Sequence, residues 1–169
     1  MKAFWLINLV LFQASWFCAA FATEYASLVI ACLLVLHFYL SPSRSEDLKI
    51  MPLALIGIVV DQTHLLFGTF SADSGAFPLW LVLLWLMFVV SFNHSLSWFY
   101  EKHLIVLIGF GGVGGTLSYL GGIKAGALGS ALPTSQLVIS LALSWAILFP
   151  VLMFCCRYIK RTFNMSLSS

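Results

Sequence analysis

The 169-residue chain is 62% hydrophobic and only 8% charged, with a mean hydropathy of +1.04, whereas a soluble domain carries about 25% charged residues. So little polar surface cannot cover a water-facing globule, which makes lipid the solvent and a single membrane-embedded domain, residues 1–169, the expected organisation. The net charge of +2 comes from scattered basic residues and one terminal cluster, without the continuous stripe that nucleic-acid binding needs, so nucleic acid is excluded as a partner.

A bilayer core about 30 Å thick takes about 20 apolar residues as helix, and within one segment only a helix satisfies its own backbone there. Six runs meet that demand, at about 3–22, 25–40, 50–70, 78–99, 104–122 and 135–156. Lys2, the first run and Ala20-Phe21-Ala22 before Thr23 also have the outline of a signal peptide. Asn8 and Gln13 interrupt its apolar stretch and Trp16-Phe17 fills the place of a small, polar cleavage region, so the run is expected to remain as a span. The second run is short and ends near His37, which reads as an amphipathic anchor at the interface. A turn-forming stretch, Ser41-Pro42-Ser43-Arg44-Ser45-Glu46-Asp47, leads into the third run.

The third run holds Asp61, eleven residues in and close to the midplane by helix rise. An ionisable group at that depth costs about 2.5–3.5 kcal/mol on insertion scales and faces the bundle interior. His64 follows at i+3 on the same face, so the two are candidates for an acid/base pair, with a hydrogen-bond knot that fixes packing as the structural alternative. Gln13, at similar depth in the first run, is a candidate partner of Asp61. The fourth run ends in a polar seam of Asn93, His94 and Ser97, which either lines a site or glues helices together.

The fifth run carries Gly109, Gly111, Gly112, Gly114 and Gly115, then Ser118 and Tyr119. It matches G-x-G-x-x-G only formally, because no strand precedes it and no acidic residue follows Glu101. Gly111, Gly114 and Gly115 read instead as a surface for close helix approach, within the bundle or across a homodimer, and Ser118 and Tyr119 extend the polar seam toward the outer end. Pro150 and Trp145 lie inside the sixth run, and the indole at mid-depth is expected to pack inward. Cys18, Cys32, Cys155 and Cys156 have no metal-binding or redox spacing and read as packing residues. No cofactor or metal site is expected, since nucleotide, zinc-protease and haem-attachment motifs are all lacking.

Basic residues are retained on the cytoplasmic side. With both termini inside, Lys2, Arg44, Lys49, Lys102, Arg157, Lys160 and Arg161 are cytoplasmic and Lys124 alone lies outside. The expected fold is therefore all-α, a polytopic bundle of six transmembrane helices, N-in and C-in, with Trp5 and Trp98 in the inner aromatic belt and Trp16 and Trp80 near the outer one. On that topology the sequons at Asn93 and Asn164 escape glycosylation.

Several motifs run through nearly the whole chain: Asn8 with Phe12-Gln13 and Trp16-Phe17, then Gly57, Asp61 and Gly68, then Pro78-Leu79-Trp80 with Leu84-Trp85 and Phe88. Asn93-His94-Ser95-Leu96-Ser97-Trp98 follows, and then Gly111 with Gly114-Gly115-Thr116-Leu117-Ser118-Tyr119. Together they resemble the uncharacterised small inner-membrane proteins of Gram-negative bacteria grouped as domain of unknown function twenty-eight seventy-eight, with Thr116 where that pattern would carry proline. The resemblance implies a multi-pass protein of the bacterial inner membrane in a fatty-acid-modifying setting, with membrane lipids and lipid-modifying enzymes as partners. Three activities are compatible with it: an accessory or scaffold component of lipid modification, an intramembrane lipid enzyme using Asp61 and His64, and a small proton-coupled transporter using Asp61.

Overall fold

The computed structural model describes residues 4–72 and 77–166, with side chains as far as residue 162. Lys2, Asp73, Ser74, Gly75 and the side chain of the Asn164 sequon lie outside the described residues. Among the described residues, eight α-helices and four tighter or wider turns make an all-α bundle. Helix α1 (Phe4–Phe21) folds back onto α2 (Thr23–Leu40) through the single residue Ala22. Ser41 ends α2 in an extended conformation, as the residue before a proline must be. The chain then runs through α3 (Arg44–Ile50), a 3-10 turn at Met51–Leu53 and α4 (Ala54–Leu66), a nearly continuous rod broken where Pro52 lacks an N–H.

Helix α5 (Leu79–Val90) starts behind Pro78, and 3-10 turns at Ser91–Asn93 and Ser97–Glu101 follow it. The fifth span consists of α6 (Leu104–Phe110), a π-turn (Gly111–Gly115) and α7 (Thr116–Ala125), and stops at Gly126, whose φ of 90° is the left-handed end that glycine supplies. Helix α8 (Thr134–Ser166) closes the bundle. Five of these rods are long and apolar enough to cross a membrane, and Leu79–Asn93 is a shorter apolar helix.

Three expected spans have different limits. The third, expected at about 50–70, begins earlier at Arg44 and ends at Leu66. The fourth is not helical to residue 99: polar side chains end it at Asn93, because Asn93, His94 and Ser95 bond to other helices and Ser97 Oγ bonds back to the His94 carbonyl. The sixth does not stop at 156 but continues to Ser166, carrying Arg157, Lys160 and Arg161 on the last turns. Trp80, expected in an interfacial belt, is buried in the core, whereas Trp5 and Trp98 are exposed.

The ends of the bundle are tied separately. At one end the α4–α5 and α7–α8 connectors pair, Ser71 N–H donating to the Gly129 carbonyl at 2.8 Å and Gly129 N–H returning at 2.9 Å. At the other, Arg157 Nη2 donates to the Phe99 carbonyl at 3.0 Å, and the Tyr100 hydroxyl lies 2.8 Å from Cys156 Sγ. Burial pushes the Tyr100 phenol well above its ordinary range, so it stays protonated.

The centre is held by two indoles. Trp85 of α5 and Trp145 of α8 stack 5.4 Å apart with planes 8° off parallel. A Cβ on Gly57 of α4 would run into the Trp85 ring, and one on Gly115 into the Trp145 ring, so two glycines admit the stack from either side.

Candidate functional site

The buried face of the α3–α4 rod is a helical stripe, Asp47, Ile50, Ala54, Gly57, Asp61 and His64, spaced three and four apart. Two carboxylates therefore look into the bundle from one rod, fourteen positions or about 21 Å apart by helix rise. Each organises a polar cluster.

Asp61 is 1% exposed, as its mid-span position predicts. Its Oδ2 accepts from Trp85 Nε1 at 2.6 Å and from the Tyr119 hydroxyl at 2.5 Å. The expected partners are not those found. His64 makes no hydrogen bond to Asp61; its ring stacks on Phe70, with centroids 5.7 Å apart. Gln13 is exposed on α1 and does not reach Asp61 either. Trp and Tyr reach further than a neighbour on the same helix, and pairing with them joins α4 to α5 and α7.

Trp85 and Tyr119 form part of the wall of a cavity of about 520 Å3 between α1, α5, the fifth span and α8. That volume lies within the ~300–1,000 Å3 usual for ligand pockets. The wall is mostly aromatic and aliphatic, with Phe12, Trp16, Leu84, Phe88 and Phe149 prominent, and Gln13 and Ser118 are its polar points besides Tyr119 and the indoles. Gln13, Phe17 and Leu117, all exposed, are among its lining residues, so it is open to the outside between α1 and the fifth span.

The fifth-span glycines divide their work. A Cβ at Gly111 would meet Phe149 Cβ at 2.6 Å and the Trp145 backbone, and Gly115 lies beneath the Trp145 ring, so these two seat α8 within the bundle. Gly114 faces the cavity, where a Cβ would find only the Phe110 ring, at 3.9 Å. The stripe lies in a π-turn, Gly111–Gly115, between α6 and α7.

The second cluster was not foreseen from the sequence. Asp47 belongs to helix α3 and is fully buried, not a loop residue, and His37 is fully buried rather than interfacial. His37 Nε2 lies 3.2 Å from Asp47 Oδ2, and His94 Nε2 lies 2.9 Å from Oδ1 and 3.1 Å from Oδ2. Ser41 Oγ donates to Oδ2 at 2.5 Å and Asn93 Nδ2 to Oδ1 at 2.8 Å, so every lone-pair direction of the carboxylate is engaged. Asn8 Oδ1 accepts from Ser95 N–H and Oγ–H, which turns its amide nitrogen to His37 Nδ1 at 3.5 Å. Phe4 covers both imidazoles, edge-on to His94 at 4.7 Å and tilted to His37 at 5.5 Å.

Of the expected polar seam, Asn93 and His94 therefore serve Asp47, Tyr119 serves Asp61, Gln13 and Ser118 face the cavity, and Ser97 caps its own turn. His37, Asp47 and His94 are the described residues whose donor atoms could hold a metal ion together. A signal for Asp47 was present: it stands three residues before Ile50 and seven before Ala54, on the stripe that ends at Asp61.

No curated protein and no solved structure matches the chain. A family model described as "Protein of unknown function (DUF2878)" matches residues 5–151, which takes in both carboxylates and the side chains that bond to them. The chain is a member of the DUF2878 family, described as of unknown function.

Proposed function

We propose that this protein holds one acyl chain of a membrane lipid inside its bundle and serves as a non-catalytic accessory or scaffold component of lipid or fatty-acid modification in the bacterial inner membrane, with both termini cytoplasmic. The supporting observation is the cavity: it is apolar, ligand-sized and opens laterally between membrane-length helices, where the molecules at its mouth are lipids. Gln13 and Ser118 give a polar group of the lipid somewhere to bond. Lipid-modifying enzymes are the partner class, because a bundle with such short connectors presents a lipid more readily than it houses a separate catalytic domain.

Gly114→Leu tests the reading, since a Cβ at Gly114 meets only the Phe110 ring and the larger side chain takes up part of the cavity beside it. Native mass spectrometry of the wild-type protein from mild detergent is expected to find a retained lipid, and the variant to lack it at unchanged thermal stability. A lipid-free wild type, or a variant that keeps its lipid, would remove the proposal.

One observation favours an enzymatic alternative. Asp61 touches the cavity wall through the Tyr119 hydroxyl, so a carboxylate–phenol pair stands beside the occupant, with His64 taking no part. On this reading Asp61→Asn alters the lipid profile of the cell at preserved protein abundance; an unchanged profile leaves the accessory role.

A further inference from the structure

We infer that His37, Asp47 and His94 form a binding site for one first-row divalent transition-metal ion, at the opposite end of the α3–α4 rod from Asp61. The three residues come from α2, α3 and the turn after α5, and their donor atoms lie within 4.8 Å of one another. The carboxylate-to-imidazole separations of 2.9, 3.1 and 3.2 Å are the edges expected between neighbouring ligands that each stand about 2.1 Å from a common ion. Two imidazoles and one carboxylate suit zinc, iron or manganese, whereas calcium and magnesium want oxygen alone.

The surroundings have the form of an outer shell. Ser41 and Asn93 orient the carboxylate, and Phe4 seals the imidazoles from solvent. None of the three ligands lines the lipid cavity, so the inference does not rest on the proposed function. Asn8 makes the competing arrangement explicit. With its amide nitrogen toward His37 Nδ1, the imidazole proton sits on Nε2 and bonds to Asp47 directly. An ion on the two Nε2 atoms moves both imidazole protons to Nδ1, and for His37 the Asn8 amide must then turn its oxygen to the ring and give up the bonds from Ser95 N–H and Oγ–H.

The test is cobalt. Purified wild-type protein is stripped with chelator and titrated with Co2+, and elemental analysis of the unstripped protein identifies zinc, iron or manganese as the resident ion. The expected result is one equivalent of metal per chain and visible d–d absorption on Co2+ loading. Ser41→Ala, which keeps all three ligands, should weaken Co2+ binding roughly tenfold, and His94→Ala should abolish the absorption. Gly114→Leu, remote from the cluster, should leave it unchanged. Folded wild-type protein that carries no stoichiometric metal and gives no Co2+ absorption overturns the site, whether or not the ligand variants fold.

Discussion

Asp61 owes its position to two donors on other helices, and that fixes what its replacement costs. Asp61→Leu leaves the Trp85 N–H and the Tyr119 O–H buried without an acceptor, at about 1–3 kcal/mol for each. Asp61→Asn keeps one acceptor oxygen and should lose distinctly less. Denaturant unfolding in detergent micelles would rank wild type, Asn and Leu in that order. If Leu were as stable as wild type, the bonds to Trp85 and Tyr119 would not be holding α4, α5 and α7 together. The mid-span position of Asp61 could be read directly from the sequence, since a lone carboxylate in an apolar run has to turn inward. Its partners could not, because an indole and a phenol far away in sequence reach it only once α5 and α7 are in place.

At the level of elements, the fifth span shows how a run of glycine is used. Gly111 and Gly115 are filled by α8, so the close approach that these two permit is made within the chain. Gly115→Ala pushes a methyl group into the Trp145 ring, an overpacking that costs about 1–3 kcal/mol, while Gly114→Ala meets only ordinary contact and should be nearly neutral. Thermal unfolding of the two single variants separates them, and equal losses would mean that the α8 seam is looser than the geometry states. Removing one residue from Gly111–Gly115 would turn everything after it by about 100° on an ideal helix, taking Tyr119 away from Asp61. The glycine spacing announces close approach but not the π-turn.

For the molecule as a whole, apolar run lengths specified an all-α membrane-type bundle, and breaker residues such as Pro52, Pro78 and Gly126 mark where the rods break, begin or end. The Asp47 cluster was hidden for a physical reason: Arg44-Ser45-Glu46-Asp47 has the composition of a solvated loop, and only its phase relative to Ile50 and Asp61 turns Asp47 inward. The α4–α5 and α7–α8 connectors pair at a common end whichever way the bundle faces, so the orientation with Arg44 inside and Lys124 outside is a separate prediction. A cysteine at Lys124 should react with an impermeant maleimide in intact cells, and one at Arg44 only after the membrane is opened. The reverse labelling would invert the bundle and leave its internal geometry untouched.

The nearly parallel stack of Trp85 on Trp145 has an optical consequence. Two indole chromophores 5.4 Å apart couple their transitions, and the resulting near-ultraviolet dichroism reports the spacing of α5 and α8. Because both rings also border the cavity, an occupant that wedges the seam open changes this signal while the far-ultraviolet helix bands stand still, which gives the protein a label-free gauge of its own filling.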